Sequence, residues 1–153
     1  VIILCADVII AYIDGACRGN PGPGGWGVVI IQNNTTQELY GGDKWTSNNR
    51  MELRAAIVAI QNTPIDSKLT IYSDSTYVVK GATEWINTWR QKWQRSNKMS
   101  VKNKEVWQEL DSLMIDRDIQ WSWVRGHNNH LGNERADQLA NKGIDELLDK
   151  LHN

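Results

Sequence analysis

Four carboxylates sit in short contexts whose types and spacing could do chemistry together: Asp14 in YIDGACRGNPGPGG, Glu52 in SNNRMEL, Asp74 in TIYSDS and Asp137 in RGHNNHLGNERADQLA. Asp14 and Asp74 fall at or just past the ends of apolar, β-branched runs, and Glu52 and Asp137 fall on helix-like patterns. One compact sheet with helices against it would gather all four. Carboxylates crowded in this way raise one another's pKa unless a cation lies among them. Hard oxygen donors select Mg2+, with Mn2+ as a substitute, and Mg2+ keeps waters and joins substrate phosphates rather than filling an all-protein cage. Four carboxylates can hold two such ions about 3.5–4 Å apart, one activating a water and the other stabilising the leaving oxygen of an in-line phosphoryl transfer. The chemistry expected is that of a nuclease or a related phosphoryl-transfer enzyme. Taken singly, each residue has a plainer reading. Asp14-Gly15 can open a turn, Glu52 can close a capping box with Asn49, Asp74 can cap the helix after it, and Asp137 can be a solvated helix residue. Their joint placement weighs against four separate coincidences.

The elements that must position them follow from the hydrophobic pattern. VIIAYID (8–14) and WGVVIIQ (26–32) read as strands separated by CRGNPGPGG, whose glycines and prolines predict turn or loop, and a third strand over roughly 36–45 completes a meander. ELRAAIVAIQ (52–61) has helical periodicity through Leu53, Ala56, Ile57 and Ile60, with Asn48 or Asn49 as its expected cap. LTIYSD (69–74) is a short buried strand, and the helix begun by STYVVKG turns at Gly81 and resumes through TEWINTWRQKW. Val101 to Met114 forms a further helix, IQWSWV (119–124) a fifth strand, and Leu131 to Leu148 an amphipathic helix. In the tail IDELLDKLHN, the apolar Ile144, Leu147, Leu148 and Leu151 favour packing on the sheet. The order predicts an α/β fold, a mixed sheet with helices on both faces.

Composition bounds the partners. With 153 residues, 41% of them hydrophobic, residues 1–153 suit one globular domain, and a net charge of −1 excludes an overall polycation. Affinity for nucleic acid then needs a local patch, and Ile86 to Lys104 supplies one: Arg90, Lys92, Arg95, Lys98, Lys102 and Lys104 occur there without an acidic residue. Trp85, Trp89 and Trp93 recur beside it at four-residue spacing, as one helical stripe would, with packing against a neighbouring helix the expected role of Trp85 and Trp89. Cys5 and Cys17 have no disulfide-framework spacing, which fits a reducing cytosol, and a cytoplasmic location is expected. The apolar opening Val1 to Ile13 is shorter than the roughly 18–20 residues that span a bilayer and lacks the cationic start of a signal peptide. No membrane partner is expected.

The motifs together resemble type 1 ribonuclease H, of the bacterial ribonuclease HI kind. DGACRGNPGPGG, TSNNRMELRAAIVA, SDSTYV, VKN followed by a tryptophan helix, and WVRGHNNHLGNERADQLA stand in that family's order and spacing over about Val8 to Asn141. The resemblance implies a ribonuclease H-like fold with a five-stranded mixed sheet. It also implies a monomeric endonuclease that cleaves the RNA strand of an RNA/DNA hybrid and leaves 5′-phosphate and 3′-hydroxyl ends. Carried over by motif, Asp14, Glu52, Asp74 and Asp137 are the metal-binding catalytic set, and His127 assists proton transfer or product departure. His130, despite its HxxH spacing, reads as a loop residue rather than a zinc ligand. Positions matching Cys17, Asn20 and Asn48 contact the hybrid in its minor groove, where 2′-hydroxyls distinguish the strands. Ser47, Asn48 and Arg50, at a helix N-terminus, hold a phosphate of the DNA strand.

The basic segment resembles the protrusion that grips the DNA strand, which places Trp85, Arg90, Lys92, Trp93, Arg95 and Lys98 toward the substrate. The match departs from the family in three places: one residue is missing near Trp93, Thr76 stands where a longer amide is expected among the substrate contacts, and Ala16 replaces a serine. Two other readings stay open, an inactive hybrid-binding module and a nuclease domain excised from a larger reverse transcriptase.

Overall fold

A computed structural model of the chain describes residues 8–93, 101–126 and 130–152. Strands β1 (Val8–Cys17), β2 (Gly22–Gln32) and β3 (Thr35–Thr46) form the antiparallel meander. β4 (Lys68–Ser73) pairs parallel with β1, and β5 (Asp118–Trp123) pairs parallel with β4, giving the order β3-β2-β1-β4-β5. The helices are α1 (Asn48–Gln61), α2 (Thr76–Lys80), α3 (Ile86–Lys92), α4 (Lys104–Met114) and α5 (Leu131–His152), with a π-helical turn Gly81–Trp85 between α2 and α3. Among the described residues no helix is long and apolar enough to cross a membrane.

Side chains alternate across the sheet and build a core on each face. From β1, Ile9, Ala11 and Ile13 enter the larger core with Leu53, Ala56, Ile57 and Ile60 of α1 and Trp107 and Leu110 of α4. Tyr12 turns the other way, where Val29 and Tyr40 meet Ala136 and Leu139 of α5. The tail packs in part: α5 continues to His152 with Ile144 fully buried and Leu147 and Leu148 half-buried, but Leu151 is exposed.

Three local expectations change. The glycine run is mostly strand, since β1 continues to Cys17 and β2 resumes at Gly22, leaving only Arg18 to Pro21 between them. Its glycines serve close approach: a Cβ on Gly25 or Gly27 would overlap the Ala140 or Ala136 carbonyl of α5. The cap of α1 is Ser47, whose Oγ accepts from the Arg50 amide at 3.2 Å, so Glu52 lies beyond any capping-box position. The chain does not turn at Gly81. It continues through the π-helical turn with Gly81 at φ −60°, and the glycine is needed because the Trp107 ring lies against it.

The tryptophans read as packing do pack. Tyr77, Trp85, Trp89 and Trp107 form a chain of ring contacts at centroid distances of 5.3–6.0 Å, and the Tyr77 hydroxyl accepts from Trp107 Nε1 at 2.9 Å. At the far end of α1, Arg117 donates to the carbonyls of Ile60 and Thr63, both at 3.1 Å, placing a cation at the negative end of the helix.

Candidate active site

Asp14 lies on β1 opposite Gly27, Glu52 on the second turn of α1, and Asp74 immediately past β4. The topology that makes β1 and β4 parallel neighbours therefore brings their carboxylates to the same end of the sheet. One carboxylate oxygen from each of the three lies within 4.8 Å of the others. Asp14 and Glu52 are almost fully enclosed, 5% and 6% exposed, and their side chains share a hydrogen bond. Asp137 of α5 acts on Asp14, raising its carboxyl pKa, but is not among the three carboxylates that converge; its own carboxylate and carbonyl accept from Asn141 Nδ2 at 3.5 and 3.0 Å.

Burial dominates the electrostatics. It pushes the Asp14 carboxyl up to about 8, the hydrogen bond from Glu52 opposes the rise, and the charges of Asp74 and Asp137 add to it. Glu52 is likewise raised well above the carboxylate range, first by burial and then by Asp14, while the Gly15 amide partly opposes the rise. Glu52 Oε2 is buried without a hydrogen-bond partner. Crowded hard oxygen donors, one of them orphaned, fit a divalent cation. The arrangement is suited to phosphate chemistry and ill suited to zinc, whose sites draw on nitrogen and sulfur. The His130 ring makes a tilted contact with Tyr12 at 6.5 Å, and its carbonyl accepts from the Glu134 amide at 2.9 Å.

A tether not evident from sequence holds Asp74. Trp123 at the end of β5 donates its Nε1–H to the Asp74 carbonyl at 3.1 Å, and Gly126 lies against the Asp74 carboxylate, where a side chain would crowd it. Alternation in IQWSWV marks Trp123 as outward-facing but carries no sign of its partner. Trp123→Phe keeps a ring and removes the donor. A hydrogen bond of this kind is worth about 1 kcal/mol, so kcat and Mn2+ affinity should each fall roughly 5- to 10-fold with little change in melting temperature. Steady-state kinetics and Mn2+ titration by electron paramagnetic resonance check this, and unchanged values for both would show the tether to be idle.

The residues expected to touch substrate divide into groups. Cys17, Asn20, Ser47 and Asn48 come together: Cys17 Sγ donates to the Thr46 carbonyl at 3.4 Å, and Asn20 Oδ1 accepts from the Asn48 amide at 3.1 Å. Burial pushes the Cys17 thiol up, consistent with a packed, unreactive sulfur. The Asn48 and Arg50 amides at the start of α1 are both satisfied within the chain, leaving side chains to reach a phosphate. Arg50 Nη1 pairs with Glu105 at 2.5 Å, and Arg90 Nη2 pairs with Asp111 at 2.7 Å, so both cations are engaged with α4. Lys92 and Thr76 are exposed, and Trp85 is partly so. Trp93 ends α3 in a left-handed conformation, φ 54°, and packs against the larger core. Cys5, His127, Arg95 and Lys98 lie outside the described residues.

Comparison with known proteins adds the family. The sequence profile of RNase H matches residues 6–145. A ribonuclease H of Polynucleobacter asymbioticus is 52% identical over 141 residues, spanning 92% of this chain and 92% of the relative. Among solved structures, LC9-RNase H1, described as a type 1 RNase H with the type 2 active-site motif, superposes with a TM-score of 0.83 at 30% identity, over 94% of this chain and 75% of its own. LC11-RNase H1, crystallised in complex with an RNA/DNA hybrid, gives a TM-score of 0.70 at 27% identity, over 92% of this chain and 99% of its own.

Proposed function

From the premise that this chain belongs to the ribonuclease H family, we propose how its own residues perform the family's reaction. The protein is an endonuclease that hydrolyses the RNA strand of RNA/DNA hybrids. Asp14, Glu52 and Asp74 hold the metal, with Asp137 completing the set from α5. In our reading the metal is Mg2+, with Mn2+ as a substitute. When bound, it neutralises charge on the scissile phosphate and makes water a stronger nucleophile. Asp14 and Glu52 would serve as ionised ligands, the proton that Glu52 donates toward Asp14 passing to solvent, and the unpartnered Glu52 Oε2 would be free for the same task. Attack on phosphorus breaks the bond to the 3′ oxygen, leaving a 3′-hydroxyl and a 5′-phosphate, with His127 moving the proton. Cys17, Asn20 and Asn48 read the minor groove, while Ser47, Arg50 and the basic segment with Arg90, Lys92, Arg95 and Lys98 hold the DNA strand.

The observation that carries this reading is the convergence of three carboxylates within 4.8 Å around an unpartnered Glu52 oxygen. Its test is cleavage of an end-labelled RNA/DNA hybrid in Mg2+, with and without chelator, beside RNA and DNA duplexes. Cutting of the hybrid alone, lost on chelation, is the expected result. Tight hybrid binding without cutting would make the chain a binding module instead.

A further inference from the structure

The guanidinium that the functional reading assigns to a phosphate of the DNA strand is already engaged. Arg50 stands in the first turn of α1, and its Nη1 donates at 2.5 Å to Oε1 of Glu105, which stands in the first turn of α4. One turn further along both helices, Arg54 Nη1 meets both carboxylate oxygens of Glu109, at 3.4 and 3.2 Å. Each pair spans 55 residues, so α1 and α4 run side by side in the same direction and start at the same end. That end is electropositive, because two helix N-termini and the Arg50 side chain meet there. Glu105 supplies the matching negative charge. Arg50 first, and then the amide of Glu105 itself, hold its carboxyl below the usual carboxylate range. The hold is loose: the Glu105 side chain is 67% exposed and meets Arg50 through one oxygen, whereas that of Glu109 is 41% exposed and uses two. A carboxylate this exposed can swing into water, and a phosphate can then take two guanidinium N–H groups in its place.

We infer that Glu105 is an internal stand-in for the phosphate: it neutralises Arg50 in the free enzyme, leaves it when the DNA strand binds, and so sets how tightly the hybrid is held. The inference rests on the functional reading above and deepens it by assigning a competitor to the Arg50 contact. Were Glu105 to stay in place, its charge would face that of the incoming phosphate across one guanidinium. The exchange also shapes the response to salt. An arginine already paired within the protein gives up one anion to take another, so it adds little net neutralisation of the nucleic acid and releases few counterions.

Glu105→Gln should lower KM for the hybrid about 3- to 10-fold at low salt and steepen its salt dependence, by up to about 0.9 in the slope of log KM against log salt, the share of one phosphate. Glu109→Gln removes the same charge from the same helix one turn away and should keep the wild-type KM and slope. In an Arg50→Ala background Glu105→Gln should be silent, since the competitor then has nothing to hold. Wild-type protein that leaves the hybrid intact would overturn the functional reading and this inference with it. With a wild type that cuts, an unchanged or raised KM in Glu105→Gln overturns this inference alone, a raised value meaning that Glu105 positions Arg50 rather than competing for it. A fall in KM that Glu109→Gln matches, or that persists without Arg50, overturns it equally, because the effect would then belong to net charge.

Discussion

Asp14→Asn is expected to abolish cleavage of the hybrid while raising the melting temperature of the metal-free protein. The loss follows from the ligand set: a neutral amide at the most central carboxylate forfeits several kcal/mol of charge stabilisation, and at 1.36 kcal/mol per decade this is about a thousandfold or more in rate. The gain in stability follows from the same crowding. Asp14 titrates near 8 in the fold against an ordinary 3.8, so between these values the folded protein keeps a proton that the unfolded chain has released. Where the folded state binds more protons, stability falls as pH rises. The metal-free wild type should accordingly lose stability across that window, with Glu52 acting in the same direction. Asparagine removes the charge that must be buried. A relief of roughly 1–3 kcal/mol is in the range of single substitutions, and each kcal/mol corresponds to about 2–4 °C in a domain of this size. Thermal melts in chelator from mildly acidic to mildly alkaline pH should show the wild type declining more steeply than the variant. Added divalent cation should restore the wild type most at the alkaline end. A variant less stable than wild type at alkaline pH would mean that the cluster is neutralised by something other than a metal.

How much of this was legible in the sequence depends on the range of the interaction concerned. The four carboxylates stand out because each follows or sits within a strong local pattern that predicts one mixed sheet, and the structure adds that β1 and β4 pair in parallel. Short-range chemistry read slightly wrong at α1, where Ser47 outcompetes two asparagines for the cap because strand β3 runs to Thr46 and leaves Ser47 as the first extended residue before the helix. The long-range causes left no local trace. Gly25 and Gly27 look like strand breakers until α5, more than 100 residues later, is seen lying on them. A count of cations around Arg90 suggests a free basic patch, yet Asp111, 21 residues on, holds that guanidinium. Trp123 likewise gives no hint that its partner is the carbonyl of Asp74, 49 positions earlier.

Gly15 shows such a long-range cause governing the chemistry itself, and its substitution should separate geometry from charge. Asp14-Gly15 reads locally as a turn, but Gly15 lies inside β1, paired with Trp26, and its φ is not in the left-handed region. Space rather than conformation demands glycine here. A Cβ would overlap the backbone at Met51 and Glu52, and it is this contact that lets α1 come close enough for Glu52 to share a proton with Asp14 and to receive the Gly15 amide. Backbone faces backbone across the contact, so no side-chain rotation can make room. Gly15→Ala must move the start of α1 away from β1, and a displacement near 1 Å is enough to cost about 100-fold in rate. Overpacking should also cost roughly 1–3 kcal/mol of stability. The expected outcome is thus lower activity with a lower melting temperature, the opposite thermal sign to Asp14→Asn, together with weaker Mn2+ binding although every ligand is still present. Retention of wild-type kcat and melting temperature by Gly15→Ala would show that α1 can yield, and that the Asp14 to Glu52 spacing is not set where the backbones meet.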